Sequence, residues 1–286
     1  MSGSRRPLHN YIARDFELCL GRETKIMGVL NVTPDSFSDG GLFEDPRRAA
    51  SQALKMEREG AHIIDIGGES SKPGSKPVSA KEEIRRILPV LKYLKKQIKV
   101  PVSVDTYKYD VALAALDQGA AIVNDIYALR ADKRLAKIIA RYKAGVVLMH
   151  MQGTPETMQA RPRYRVLLKE IRDFLRRAVE TALESGVAKS AIMIDPGFGF
   201  GKTTDQNLEM LGKLDIFLSL KLPVLAGVSR KSFIGNLLGG AGVHERLYGS
   251  LGAAAAAIHK GAHVLRVHEV LAHRQMSAMA DRALWN

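Results

Sequence analysis

Eight short apolar runs, separated by helix-like segments, leave this chain few folds to adopt. The runs are KIMGVLN (25–31), HIIDIG (62–67), VPVSVD (100–105), AIVND (121–125), GVVLMH (145–150), AIMID (191–195), PVLAGV (223–228) and HVLRV (263–267). They are rich in β-branched residues and do not alternate polar with apolar, as expected of strands covered on both faces. The segments between them carry helical patterns, from DPRRAASQALKMEREGA after the first run to a last helix over about 270–284. Ser79, with Glu82 three residues on, marks a helix start, and Gly60, Gly119, Gly145 and Gly261 are expected at helix C-termini. Eight strand–helix units predict an α/β fold, a single-domain (β/α)8 TIM barrel over residues 25–286; a doubly wound sheet rarely needs so many units. Residues 1–24 form an N-terminal extension. Its FELCL stretch (16–20) alternates and predicts one strand of a hairpin at the barrel floor.

Composition narrows the setting. With 286 residues, 46% of them hydrophobic, the chain can bury a large core. A single cysteine, Cys19, excludes a disulfide within the chain and suits a reducing cytosol; it reads as a small packing residue. The first twenty residues lack the apolar region of a secretory signal, and no run is long enough to span a membrane. The expectation is a cytoplasmic protein without a membrane partner. Net charge is +13, which suits an anionic small substrate or a nucleic acid. The most basic stretch, 161–180, reads as an amphipathic helix with its cations in water. With no RNA-stacking motif and no zinc-finger spacing, no nucleic-acid partner is expected.

Chemistry in such a barrel gathers at the C-terminal ends of the strands, and here nearly every run ends on polar residues. In order these are Asn31, Asp65, Asp105, Asn124 with Asp125, His150, Asp195, Ser229 with Lys231, and Arg266 with His268. A lone strand-end aspartate is usually a cap or turn former, and Asp65 and Asp125 are expected to be structural. The loops 31–41, with Phe37, and 67–79 are long and rich in Gly and Ser, and read as lids. The segment DPGFGFGKTTDQN (195–207) fails the P-loop pattern, because Pro196 stands where a glycine is needed, and fails the dinucleotide glycine pattern too. It remains a glycine-rich turn that presents Phe198 and Phe200. The Ser-Arg-Lys-Ser stretch at 229–232 precedes a helix start near Ser232, which with Lys231 suits an anion.

The motifs IMGVLNVTPDSFSDGG, DIGGESSKPG, SVDT, VNDI, MHMQGTPETMQ, DPGFGFGKT, GVSRKSFIG and RVH follow one another between about Lys25 and Val270. In this order they resemble the dihydropteroate synthase family. The resemblance implies a magnesium-dependent folate-biosynthesis transferase, a sulfonamide target and a homodimer. Its reaction joins para-aminobenzoate to hydroxymethyl-dihydropterin pyrophosphate. It implies that Asp105, Asn124, Asp195 and Lys231 bind the pterin. Asn31, Ser71, Arg266 and His268 would hold the pyrophosphate, with Asn31 also on the metal. Ser71, Lys72, Pro73, Phe200, Lys231 and Ser232 would receive the aminobenzoate, and Asn31, Lys231, Arg266 and His268 would be catalytic. Two positions depart from the family pattern: Lys72 where arginine is usual, and Glu269 where aspartate is usual. A pterin-binding methyltransferase on a related barrel would share the ring-edge residues but not need the Ser-Arg-Lys-Ser turn or the Arg266/His268 pair. A non-catalytic pterin binder would be expected to have lost charged site residues, and all are present.

Overall fold

The structure, a computed structural model, describes residues 6–33 and 45–285. An antiparallel hairpin, β1 (His9–Ala13) and β2 (Phe16–Leu20), comes first. Then follow β3 (Lys25–Asn31), α1 (Pro46–Arg58), β4 (Ile63–Gly67), α2 (Ala80–Leu94), β5 (Val102–Asp105), α3 (Tyr109–Asp117), β6 (Ile122–Asp125) and α4 (Arg134–Arg141). The second half comprises β7 (Gly145–Met149), α5 (Leu167–Glu184), β8 (Ile192–Asp195), α6 (Thr204–Gly212), β9 (Leu225–Ala226), α7 (Ser232–Leu237), α8 (Leu247–His259), β10 (Val264–Val267) and α9 (Val270–Trp285). Strands β3 to β10 pair in parallel in the order β8-β7-β6-β5-β4-β3-β10-β9. A bridge between Ile194 and Val224 joins the two ends of this order. The eight expected runs are thus the eight strands of a (β/α)8 barrel, and every residue of β4, β6, β7, β8 and β9 is buried.

The hairpin closes the floor. Tyr11, Ala13 and Leu20 pack against Met27, Ile63, Ile122, Val147, Met193, Leu225 and Val264, which lie at the N-terminal ends of the barrel strands. The FELCL alternation explains how: Leu20 is buried while Glu17 and Cys19 are exposed. Cys19 is therefore not the packing residue expected, because the strand's two-residue period turns it outward. Gly145 also departs from expectation. It begins β7, where an added Cβ would overlap the Tyr11 phenol, so its role is close approach of the plug. The turn after α4 is instead made by Lys143, at φ 50°. Gly60, Gly119 and Gly261 do close helices, at φ 97°, 103° and 91°.

Boundaries elsewhere follow local chemistry. Ser79 accepts from the Glu82 amide at 3.2 Å, as expected of an N-cap. The helical pattern of DQNLEMLGKLDIFLSL (205–220) breaks after Gly212 into α6 and a 3-10 turn (Leu214–Leu220). The basic helix begins only at Leu167.

Beside the floor, Arg6 ties the two ends of the chain together. Its guanidinium donates to Asp281 on α9 at 2.9 Å, to the Ala262 carbonyl at 2.6 Å and to Thr24 Oγ1 at 2.8 Å. His263 accepts from the Val224 amide through Nδ1 at 3.1 Å and lies 3.0 Å from the Pro7 carbonyl through Nε2. A carbonyl only accepts, so Nε2 carries the proton and the ring is neutral. Burial holds its pKa down at about 3. Among the described residues no helix is long and apolar enough to cross a membrane.

Candidate active site

Arg266, inward-facing on β10, organises the mouth. Its Nε donates to Asp65 Oδ2 at 2.6 Å and its Nη2 to Asp105 Oδ2 at 2.6 Å. Asn124 Nδ2 reaches the same Asp65 oxygen at 3.1 Å. One guanidinium thus joins the ends of β10, β4 and β5, and Asn124 adds β6. Burial works against the Arg266 charge, but Asp65 and Asp105 outweigh it and hold the guanidinium above its ordinary pKa. Burial pushes the Asp105 carboxyl up, and Arg266 opposes that rise. Asp65 is therefore no turn former. It is fully buried and positions Arg266, and its second oxygen, Oδ1, has no partner. Asp125 is structural as expected, accepting from the Tyr127 and Leu129 amides at 2.8 and 2.6 Å.

Asp195 ends β8, with Oδ1 held by the Gly197 amide at 2.7 Å. Burial raises its pKa as well. The following glycine-rich turn is fixed from inside by Lys202, which is buried rather than offered to a phosphate. Its ammonium donates to the Gly197 and Phe200 carbonyls at 2.8 and 3.0 Å and lies 3.1 Å from His150 Nδ1. Burial lowers its pKa to about 7. The turn brings Phe200 under Lys231, whose Nζ lies 4.1 Å from the ring centroid. Gly199, at φ 78°, leaves room for this, because a Cβ there would come within 3.0 Å of the lysine chain. Burial, with Arg266 adding to it, lowers the Lys231 pKa to about 8.

The four residues Ser229 to Ser232 divide their tasks. Ser229 Oγ lies 3.0 Å from His268 Nδ1. Arg230, at φ 60°, donates to Glu269 at 2.6 Å and also lines the cavity. Lys231 and Ser232 face the cavity. The longer acid at 269 therefore still reaches its partner. Burial first, and then Arg230 and its cationic neighbours, hold the His268 pKa down at about 3, so this ring is neutral. Helix α7 is only six residues long, which is too short to supply the dipole expected there. An anion beside it would depend on the Ser232 and Lys231 side chains.

A cavity of about 320 Å³ opens above these groups. Its lining includes Ser71, Lys72 and Pro73 together with Phe200, Lys231, Ser232, Asn31, Arg266 and His268. Asp105, Asn124 and Asp195 sit behind Arg266, outside the cavity lining. The expected residues thus form two connected groups with Arg266 in both. The loop 67–79 is better fixed than a lid was expected to be. Gly74 N–H donates to the Pro155 carbonyl at 2.9 Å, and Val78 N–H to Glu69 at 2.8 Å. Most of the other expected lid, including Phe37, lies outside the described residues. Glu69, Lys108 and Glu83 form a buried ion cluster at the root of loop 67–79. Nothing in the sequence pairs them, since they lie 39 and 25 positions apart.

Residues 27–268 match the model of the family described as pterin binding enzyme. A dihydropteroate synthase from Synechocystis sp. is 44% identical over 265 residues, covering 93% of this chain and 91% of the relative. A dihydropteroate synthase from Clostridium difficile, solved in the presence of pteroic acid, superposes with TM-score 0.88 at 42% identity; the match covers 93% of this chain and 99% of that one. The Xanthomonas albilineans enzyme, solved with 4-aminobenzoic acid, gives TM-score 0.89 at 39% identity, covering 98% and 99%. On this fold, this arrangement of strand ends and this extent of likeness, the chain belongs to the pterin-binding enzymes and, among them, to the dihydropteroate synthases.

Proposed function

We propose that the cavity joins para-aminobenzoate to hydroxymethyl-dihydropterin pyrophosphate by the following division of labour. The observation that carries it is Arg266, which touches the buried carboxylates with Nε and Nη2 and still lines the cavity. A flat, hydrogen-bonding ring suits the buried Asp105, Asn124 and Asp195, because a carboxylate opposite an amino-pyrimidinone edge makes a paired, charge-assisted contact. Pteroic acid in the Clostridium structure and 4-aminobenzoic acid in the Xanthomonas structure support the substrate classes.

The diphosphate then lies across Asn31, Ser71, Arg266 and His268. With Ser229 donating to Nδ1, His268 keeps Nε2–H for a phosphate oxygen and acts as a neutral donor. Asn31 fits magnesium, since one carboxamide oxygen suffices for an ion that keeps waters and substrate phosphate oxygens as its other ligands. Among the described residues no cluster of three or more His, Cys, Asp or Glu could hold the ion by itself. When bound, magnesium would neutralise charge on the leaving diphosphate. The methylene C–O bond breaks with its electron pair leaving on the diphosphate, and the electron-rich ring stabilises the cation. The neutral aniline nitrogen attacks, a C–N bond forms, and the nitrogen releases its proton to solvent. Ser71, Lys72, Pro73, Phe200 and Ser232 hold the aminobenzoate, and Lys231 lies between both substrates.

A homodimer in the cytoplasm completes the reading. It rests on the family resemblance and the single cysteine, and exposed Leu237, Leu238, Tyr248 and Met279 offer apolar surface for a second copy. The test is pyrophosphate release with magnesium. Release requiring both substrates is expected; release without aminobenzoate means hydrolysis and overturns the assignment of the amine site.

A further inference from the structure

Loop 67–79 forms the Ser71–Pro73 wall, yet its firmest attachments lie away from the cavity. Gly68 presses on α2, where a Cβ would come within 2.9 Å of Ile87 and 3.0 Å of Glu83. The Gly68 carbonyl accepts from Arg86 at 2.8 Å. The next residue, Glu69, points back into the same shoulder. One of its oxygens accepts both the Val78 amide at 2.8 Å and the Lys108 ammonium at 2.6 Å. It therefore ties the two ends of the loop to each other and to the N-terminus of α3. Lys108 continues to Glu83 at 2.5 Å, whose side chain is only 1% exposed. Its aliphatic stem and ammonium leave Lys108 only 15% exposed, between a carboxylate on the loop and one on the barrel wall.

This arrangement touches no part of the cavity directly. Glu83 is taken from water, its other oxygen Oε1 has no partner, and burial raises its pKa. A lone buried carboxylate is costly, and an ammonium shared by two acids offsets that cost only while the loop is docked. The contact thus favours one placement of the loop over all others. The wall residues start at Ser70, one position beyond Glu69, so any shift of Glu69 passes to Ser71 and Lys72 almost undiminished.

We infer that Glu69, Lys108 and Glu83 form a latch that sets the aminobenzoate wall, with Lys108 as a positioning residue for the second substrate. The inference rests on the reaction proposed above. The latch acts on the rim, and it reaches the pterin floor through the Glu83 charge, which helps push the Asp105 carboxyl up. Loss of its hold on the rim separates the two substrates kinetically.

The test compares Lys108→Met and Glu69→Gln with the parent enzyme. KM for para-aminobenzoate should rise about 10-fold or more in Lys108→Met, with kcat and the KM of the pterin substrate within about 3-fold. Glu69→Gln, which keeps an acceptor for the Val78 amide, should show a smaller rise in the same direction. Amide hydrogen exchange over residues 68–78 should be faster in both variants. Should Lys108→Met fold poorly, adding Glu83→Gln removes the stranded charge; Tm should then recover while KM for aminobenzoate stays high. Unchanged KM and unchanged hydrogen exchange in the loop would overturn the latch. So would an equal loss for both substrates that Glu83→Gln restores, since that is general destabilisation. Hydrogen exchange reads the loop without turnover, so failure of the reaction assignment is distinguishable from failure of the latch.

Discussion

The two ends of the barrel are built from opposite materials. At the floor, Tyr11 and Leu20 pack against Met27, Ile63, Val147 and Met193, and the Tyr11 hydroxyl is buried with no hydrogen-bond partner among the described residues. At the mouth, four strands end on Asp65, Asp105, Asn124 and Arg266, each taken from water and held by the others. Burying the floor is favourable at about 25 cal/mol per Å² of apolar surface. Burying the mouth is unfavourable unless every charge keeps its partner. The barrel can hold a strained, desolvated site because its other end carries the stability.

Arg266→Met is the harshest way to break this contrast. It strands two carboxylates, and should lower stability by about 3–5 kcal/mol and turnover by about 10²–10³-fold. The stranded acids would take up protons more readily when folded than when unfolded. The stability deficit should therefore grow as pH rises, which denaturant titration at several pH values would show. A deficit independent of pH would mean the carboxylates find other partners.

Leu20→Ala tests the other end. It should cost about 2–5 kcal/mol through the cavity it leaves, while turnover per folded molecule stays close to that of the parent. A large fall in kcat at full occupancy of the folded state would show that the floor also shapes the mouth.

The pH profile gives the smallest and sharpest separation. Lys231, lowered to about 8, should lose its charge as pH rises through that value, so kcat/KM for the pterin substrate should decline there. Over the same range the folded state binds fewer protons than the unfolded one at Lys231 and Lys202, so their contribution to stability increases with pH. At the acid side, His263 and His150, held at about 3 and about 2, make stability fall as pH drops below the ordinary histidine value. Activity and stability should therefore move in opposite directions on the alkaline side, where parallel decline would refute the assignment of Lys231.

Much of the floor and the architecture was readable in advance, because a two-residue period in FELCL and eight unbroken apolar runs are local signals. The strand-end residues were readable for the same reason: closing a barrel brings its C-terminal strand ends to one rim. What escaped were partnerships. Asp65 looks like any turn aspartate until β10 places Arg266, 201 positions away, beside it. Lys202 looks like a phosphate lysine until Gly197, Gly199 and Gly201, all at positive φ, fold the turn back over it. The shortness of α7 depends on tertiary packing, to which no window of neighbouring residues is sensitive.

The clasp between Arg6 and Asp281 bears on how the molecule is made. These partners stand 275 positions apart, so a ribosome delivers the second on the order of tens of seconds after the first. Throughout that interval β3 lacks β10, the neighbour that completes its hydrogen bonding, and the guanidinium lacks its acid. Completion of the ring is thereby deferred to the end of translation, and a message cut short before α9 would yield a chain with every strand present but without the Arg6–Asp281 clasp.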